Sequence, residues 1–168
     1  MRVFHWSLVV GFALNALILD EESKLHEWVG YVVVALVTAR IIWGVIGRGH
    51  ARFADFPPSI GASYGQLSDI ATGRKRIHPG HTPLGAWMIY NLLMAMLLLG
   101  LTGYMMTTTM FWGVGWVEDA HEMLVFWAEF SVILHILAVI YESRRSGVNL
   151  PRAMVTGYKT LPNKDKTA

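Results

Sequence analysis

The chain contains seven histidines and no cysteine. Two of the histidines, His121 and His135, lie fourteen residues apart in one apolar run, DAHEMLVFWAEFSVILHILAVIYES. On an α-helix, fourteen residues return to within about 40° of the starting face and advance roughly 21 Å along the axis. That spacing sets two imidazoles on one face, near opposite sides of a bilayer. An imidazole inside a membrane is costly unless it has a task. Neutral imidazole is a good ligand for iron, and two of them fill both axial positions of a haem. The chemistry implied is a pair of haems, one above the other, closed to oxygen and suited to passing single electrons. Without cysteine there is no disulfide, iron–sulfur cluster, thiolate metal site or C-x-x-C-H attachment motif. Any haem would therefore be b type, held by axial ligands and packing alone.

The elements that must position these residues follow from composition. Of 168 residues, 54% are hydrophobic and only 15% charged, and the mean hydropathy is +0.40. A soluble domain of this length needs more polar surface, so the fold class expected is an all-α integral membrane protein with a single membrane domain, 1–168. Four apolar runs give spans at about 4–19, 27–46, 84–106 and 121–141: a four-transmembrane-helix bundle enclosing two stacked b haems. The first run, Phe4 to Leu19, is short for a span. Arg2 before an apolar stretch also opens a secretory signal peptide, but no small-residue cleavage site follows and Asp20-Glu21-Glu22-Ser23 closes the run. Thr82 and Pro83 read as an N-cap and first-turn proline for the third span. Within the loop 47–81, ASYGQLSDIATG reads as a short surface helix. In the tail 142–168, NLPRAMVTGYK reads as a short amphipathic helix closed by Gly157. No catalytic residue is assigned.

Charge fixes an orientation. The loop after the second span carries Arg48, Arg52, Arg74, Lys75 and Arg76, and the tail carries Arg144, Arg145, Arg152, Lys159, Lys164 and Lys166. The first loop is acidic (Asp20, Glu21, Glu22) with one Lys24, and the third has Glu118 and Asp119 with no basic residue. The positive-inside rule puts both termini and the long loop in the cytoplasm of a multi-pass bacterial inner-membrane protein, with the acidic loops in the periplasm. The net charge of +2 says little, because the basic residues flank apolar spans. They line no face, so nucleic-acid binding has no support.

Orientation gives each span histidine a depth. His5 opens span one at the cytoplasmic side and His26 opens span two at the periplasmic side. His121 is near the periplasmic end of span four, and His135 lies toward its cytoplasmic end. Depth pairs His26 with His121 and His5 with His135. Arg40, fourteen residues after His26, shares that histidine's face near the inner site. It either binds a haem propionate bidentately or snorkels to the interface. Gly11, Gly30, Gly44, Gly100 and Gly103 allow close approach of a porphyrin or, more commonly, of a neighbouring helix. His50, His78 and His81 lie in the long loop. His78 and His81 offer a metal site or a proton route to a quinone, although solvated loop histidines are the commoner case. Trp6, Trp43, Trp112 and Trp116 suit interfacial anchors. Met94, Met96, Met105 and Met106 suit lipid-facing or packing positions rather than ligation.

FHW in span one, KLHEWVGY opening span two, GHTPLGAWM opening span three, AHEMLVFW and LHILAVI in span four, and NLPRAMVTGYK in the tail resemble the bacterial di-haem b-type cytochromes. That family comprises prokaryotic cytochrome b-561, the b-type subunit of nickel–iron hydrogenases and shorter four-helix relatives. The resemblance covers nearly the whole chain in order and spacing. It implies haem ligands at His5, His26, His121 and His135, and electron exchange with a membrane quinone and a redox partner. The hydrogenase subunits usually carry one more span, so four spans place the chain nearer the stand-alone members.

Three functions compete. The leading one is transmembrane electron transfer through two bis-histidine haems between the quinone pool and a periplasmic partner such as a c-type cytochrome. Acidic outer loops suit docking to a basic protein. A variant of it makes the chain the b-type membrane subunit of a hydrogenase-like complex. The second is a quinone oxidoreductase acting on a small outer substrate such as superoxide, for which the outer loops offer only Lys24 as an anion funnel. The third, a histidine-lined metal transporter or plain anchor, leaves the depth-matched pairs unexplained.

Overall fold

The computed structural model describes residues 2–47, 52–74 and 82–158. His50, His78 and His81 lie outside the described residues, as does the tail beyond Tyr158. The described residues are all helical, with six α-helices, a single 3-10 turn at Phe53–Asp55 and no strand. The helices are α1 (Arg2–Leu17), α2 (Lys24–Ile46), α3 (Ile60–Ala71), α4 (Pro83–Met106), α5 (Gly115–Ser146) and α6 (Leu150–Thr156).

Local chemistry sets the ends. Ser23 accepts the His26 N–H to start α2, and Thr82 accepts the Gly85 N–H to start α4, with Pro83 in its first turn. α5 begins six residues ahead of the expected span and runs past it, 32 residues in all. Glu118 in its first turn and Arg144 and Arg145 in its last complement the helix dipole, so hydrated turns extend both ends of the apolar run. At Gly147 (φ 70°) and Gly157 (φ 84°) the chain leaves α5 and α6 in the left-handed region, where a side chain is disfavoured.

α2, α4 and α5 are each long and apolar enough to cross a membrane. α1, at 16 residues, is shorter than that; it stops at Leu17, two residues before the apolar run ends, where Leu19 N–H bonds back to the Leu14 carbonyl at 2.8 Å. Both of its ends are tied to other elements. At its start, Arg2 and Trp6 donate to the Val155 and Met154 carbonyls of α6 at 2.9 and 3.2 Å, and near its end Asn15 donates to the His26 carbonyl at 3.1 Å.

Helices pack in the order α1–α2–α4–α5, with α6 against α5 and α3 against the start of α4. The core is thin: Val33, Val37, Ala95, Met96 and Ala128, flanked by Leu8, Phe12 and Ile41. Most large apolar side chains of α5, among them Ile133, Leu134, Ile136 and Leu137, point outward and are exposed. In water such a surface would drive association; against lipid tails it costs nothing. α5 packs along α4, but it does not run closely along α1 or α2. Its histidines face those helices across the gap.

Candidate functional site

At one end of the bundle, His121 of α5 faces α2 and α4. The His26 and His121 rings are within electrostatic reach of each other. His26 Nδ1 is buried and has no hydrogen-bond partner among the described residues. His121 Nδ1 lies 2.8 Å from Thr102 Oγ1 of α4. The single Thr102 hydroxyl proton is already directed at the Leu98 and Leu99 carbonyls, 2.9 and 3.1 Å away, and those oxygens can only accept. With that proton on a carbonyl, the Thr102 oxygen is free to accept from His121 Nδ1–H. That tautomer leaves Nε2 with a free lone pair, the arrangement usual for a metal-binding histidine. Gly103 leaves room for the ring: a Cβ there would sit 3.3 Å from His121 Cε1.

At the other end, His135 of α5 meets His5 of α1, with ring centroids 6.5 Å apart and planes inclined at 53°. Two imidazoles on one iron, with metal–nitrogen bonds of about 2.0 Å, hold their ring centres roughly 6 Å apart, close to what is observed. His5 Nδ1 is buried without a hydrogen-bond partner among the described residues, and Trp6 packs edge-on at 5.5 Å. All four imidazoles are half-buried. Among the described residues, no three of His, Cys, Asp and Glu converge as a metal-binding group. The histidines come as pairs, which is unlike a closed zinc site.

Arg40 turns inward instead of reaching an interface; only 8% of it is exposed. Its guanidinium carbon is 4.9 Å from the centroid of the Phe53 ring, and Nη1 is buried with no hydrogen-bond partner among the described residues. Phe53 in turn presses on Gly44, where any side chain would collide with the ring. A cation–π contact offsets part of the desolvation of a buried guanidinium, and an anion would offset the rest. Gly11 and Gly100 sit against Val33 and Val34 of α2 and Gly30 near Asn15, so these three serve helix packing.

Sequence reasoning missed two groups. One is Thr102. The other is a polar clasp between α4 and α5, in which Asn91 donates to Ser131 Oγ at 2.9 Å and Trp127 Nε1 donates to Asn91 Oδ1 at 3.0 Å. The signal for both is a polar residue inside an apolar span.

Residues 1–157 match the family model for prokaryotic cytochrome b561. The chain belongs to that family. The cytochrome is thus an all-helical membrane protein that transfers electrons on haem b. No curated protein and no solved structure matches it. The residues present fit the cofactor: imidazoles in pairs, one with Thr102 beside its Nδ1, and, among the described residues, two ring nitrogens and a buried guanidinium nitrogen without a hydrogen-bond partner.

Proposed function

We propose that the cytochrome binds two b haems, one between His26 and His121 and one between His5 and His135, and moves electrons across the bacterial inner membrane. The observation that carries this reading is the two-ended pairing: α5 presents His121 toward α2 and His135 toward α1, the second pair at 6.5 Å. α1 then counts as a fourth span, because its ends are tied to opposite ends of the bundle, at α6 and at His26. The whole chain would form one membrane domain.

Bound haem b supplies a one-electron couple. The protein does the rest. The four imidazoles would hold the two irons, two to each, leaving no open position for oxygen. Arg40 would take a propionate of the haem at the His5–His135 end, the charge-assisted pair that its buried Nη1 lacks among the described residues. Positive-inside charge puts that end at the cytoplasm and the acidic His26–His121 end at the periplasm. Electrons would pass between membrane quinone and a periplasmic redox protein, a basic c-type cytochrome or a hydrogenase-like subunit, whose basic surface suits the acidic loops.

The test is anaerobic stopped-flow mixing of dithionite-reduced protein with a cationic c-type cytochrome, and of the oxidised protein with superoxide or a reduced short-chain quinone. Rapid, salt-sensitive oxidation by the cytochrome together with reduction by the quinol is expected. Fast reduction by superoxide with no transfer to the cytochrome would instead make it an oxidase of a small substrate.

A further inference from the structure

Helix α3 is inside out for a helix in water. Its inward side is polar: Ser63, Gln66 and Asp69 are buried. Its outward side carries Ile60, Tyr64 and Leu67, which are 79%, 76% and 51% exposed. At about 100° per residue these three fall within roughly 60° of one another, on a stripe turned about 130° from the buried polar one.

The polar side turns inward because it has donors to satisfy. In the first turn of α4, Gln66 Oε1 accepts the Leu84 N–H at 2.9 Å. Thr82 accepts the Gly85 N–H through its hydroxyl at 3.1 Å and the Ala86 N–H through its carbonyl at 2.9 Å. Pro83 has no N–H. The start of α4 therefore meets each of its first-turn donors with protein and leaves none for water. A lipid environment demands this, because a backbone donor there has no solvent to turn to. α5 starts differently: Val114 gives it no side-chain cap and Gly115 and Trp116 are exposed, as suits a helix that begins in water.

Charge agrees with that depth. α3 has no basic residue, but exposed Arg52 precedes it and exposed Arg74 follows it. The Arg74 carbonyl accepts from Arg145 Nη1 at 2.9 Å, which ties this end of α3 to the last turn of α5. Arginines beyond both ends of an apolar stripe suit lipid phosphates, with the stripe seated below them.

We infer that α3 is an interfacial helix, with Ile60, Tyr64 and Leu67 set into the phospholipid at the boundary between headgroups and acyl chains while Gln66 caps α4 from the other side. Tyrosine favours that depth, with its ring in the apolar layer and its hydroxyl toward water. Trp87, in the second turn of α4, is exposed as well and extends the same belt. The inference holds whichever way the bundle points and whether or not haem is bound.

The chain has no cysteine, so single cysteines can be spin-labelled without background. The full chain, in nanodiscs of phosphatidylglycerol and phosphatidylcholine, is labelled at Ile60→Cys, Tyr64→Cys, Leu67→Cys and Ser68→Cys. Ile133→Cys on α5 is the lipid reference and Glu21→Cys in the first loop the water reference. Power saturation compares collisions with oxygen, which concentrates in lipid, and with a water-soluble nickel chelate. Oxygen should outweigh nickel at 60, 64 and 67, as at 133, and the ratio should fall at 68, which lies off the stripe. Nickel dominance along the stripe, as at 21, would put it in water. Exclusion of both reagents with spin–spin broadening would mean that a second copy covers it. An equal ratio at all four positions would mean that α3 has no interfacial orientation. Each of these three results would overturn the inference. Unchanged hydrogen exchange at the Leu84 amide checks that each labelled chain keeps the Gln66 cap.

Discussion

Replacing Gly100 by alanine should weaken the α2–α4 seam, and the structure says by how much. A Cβ on Gly100 would lie 3.3 Å from Val34 Cβ and 3.6 Å from its Cγ1, with Cγ2 closer still. Turning the Val34 side chain does not relieve this, because valine in a helix has one strongly preferred rotamer. The two helices must separate, at the usual overpacking cost of about 1–3 kcal/mol. Alanine returns roughly 0.5–1 kcal/mol of helix propensity. The net loss should be about 1–2 kcal/mol. Removing the obstacle should reverse it: Val34→Ala combined with Gly100→Ala should show a favourable coupling of roughly 1 kcal/mol or more. Gly65→Ala on α3, where nothing lies within 4 Å, is the control and should be neutral or stabilising. Equilibrium unfolding in mixed detergent and dodecyl sulfate micelles, read by circular dichroism, gives these values. If Gly100→Ala is as stable as wild type, or Val34→Ala fails to rescue it, the close approach of α2 to α4 is wrong.

Two further perturbations separate structural polar groups from the histidine sites. Asn91→Leu breaks two hydrogen bonds in the span; at about 0.6 kcal/mol each the loss should be near 1 kcal/mol in the same unfolding assay with unchanged haem content, and loss of haem would contradict a purely structural role. Gln66→Ala removes the side-chain oxygen that accepts the Leu84 N–H at 2.9 Å, so hydrogen exchange at the Leu84 amide should accelerate while the middle of α5 stays protected. Equal acceleration in both places would mean that α3 holds the whole bundle rather than the start of α4.

Much of this arrangement is legible in the residues, for identifiable reasons. Apolar runs long enough to span a bilayer give α2, α4 and α5. Thr82-Pro83 and Gly157 mark helix ends through local backbone chemistry, and they do so in the structure. The matched depths of four histidines follow from the direction of each span. Other features depend on tertiary context. Thr102 in an apolar run is indistinguishable from a threonine bonded to its own helix, and it is in fact both. Arg40 could extend outward or fold inward by spacing alone; Phe53, in the 3-10 turn that packs against α2, receives it. The period of α3 is plain in the sequence, but its direction is not. Ser63, Gln66 and Asp69 are buried and Ile60, Tyr64 and Leu67 exposed, the reverse of a water-soluble helix, because its polar side packs toward the start of α4. The extra turns of α5 lie outside its apolar run and are held by end charges, so hydropathy stops short of them.

The most direct test of the account is the number of haems per chain and how the four histidines share them. Pyridine haemochrome absorbance against protein concentration should give two b haems per wild-type chain, both low spin. His26→Ala and His121→Ala should each lose the same haem, and His5→Ala and His135→Ala the other. One haem per chain, or different haems lost from His26→Ala and His121→Ala, would contradict it.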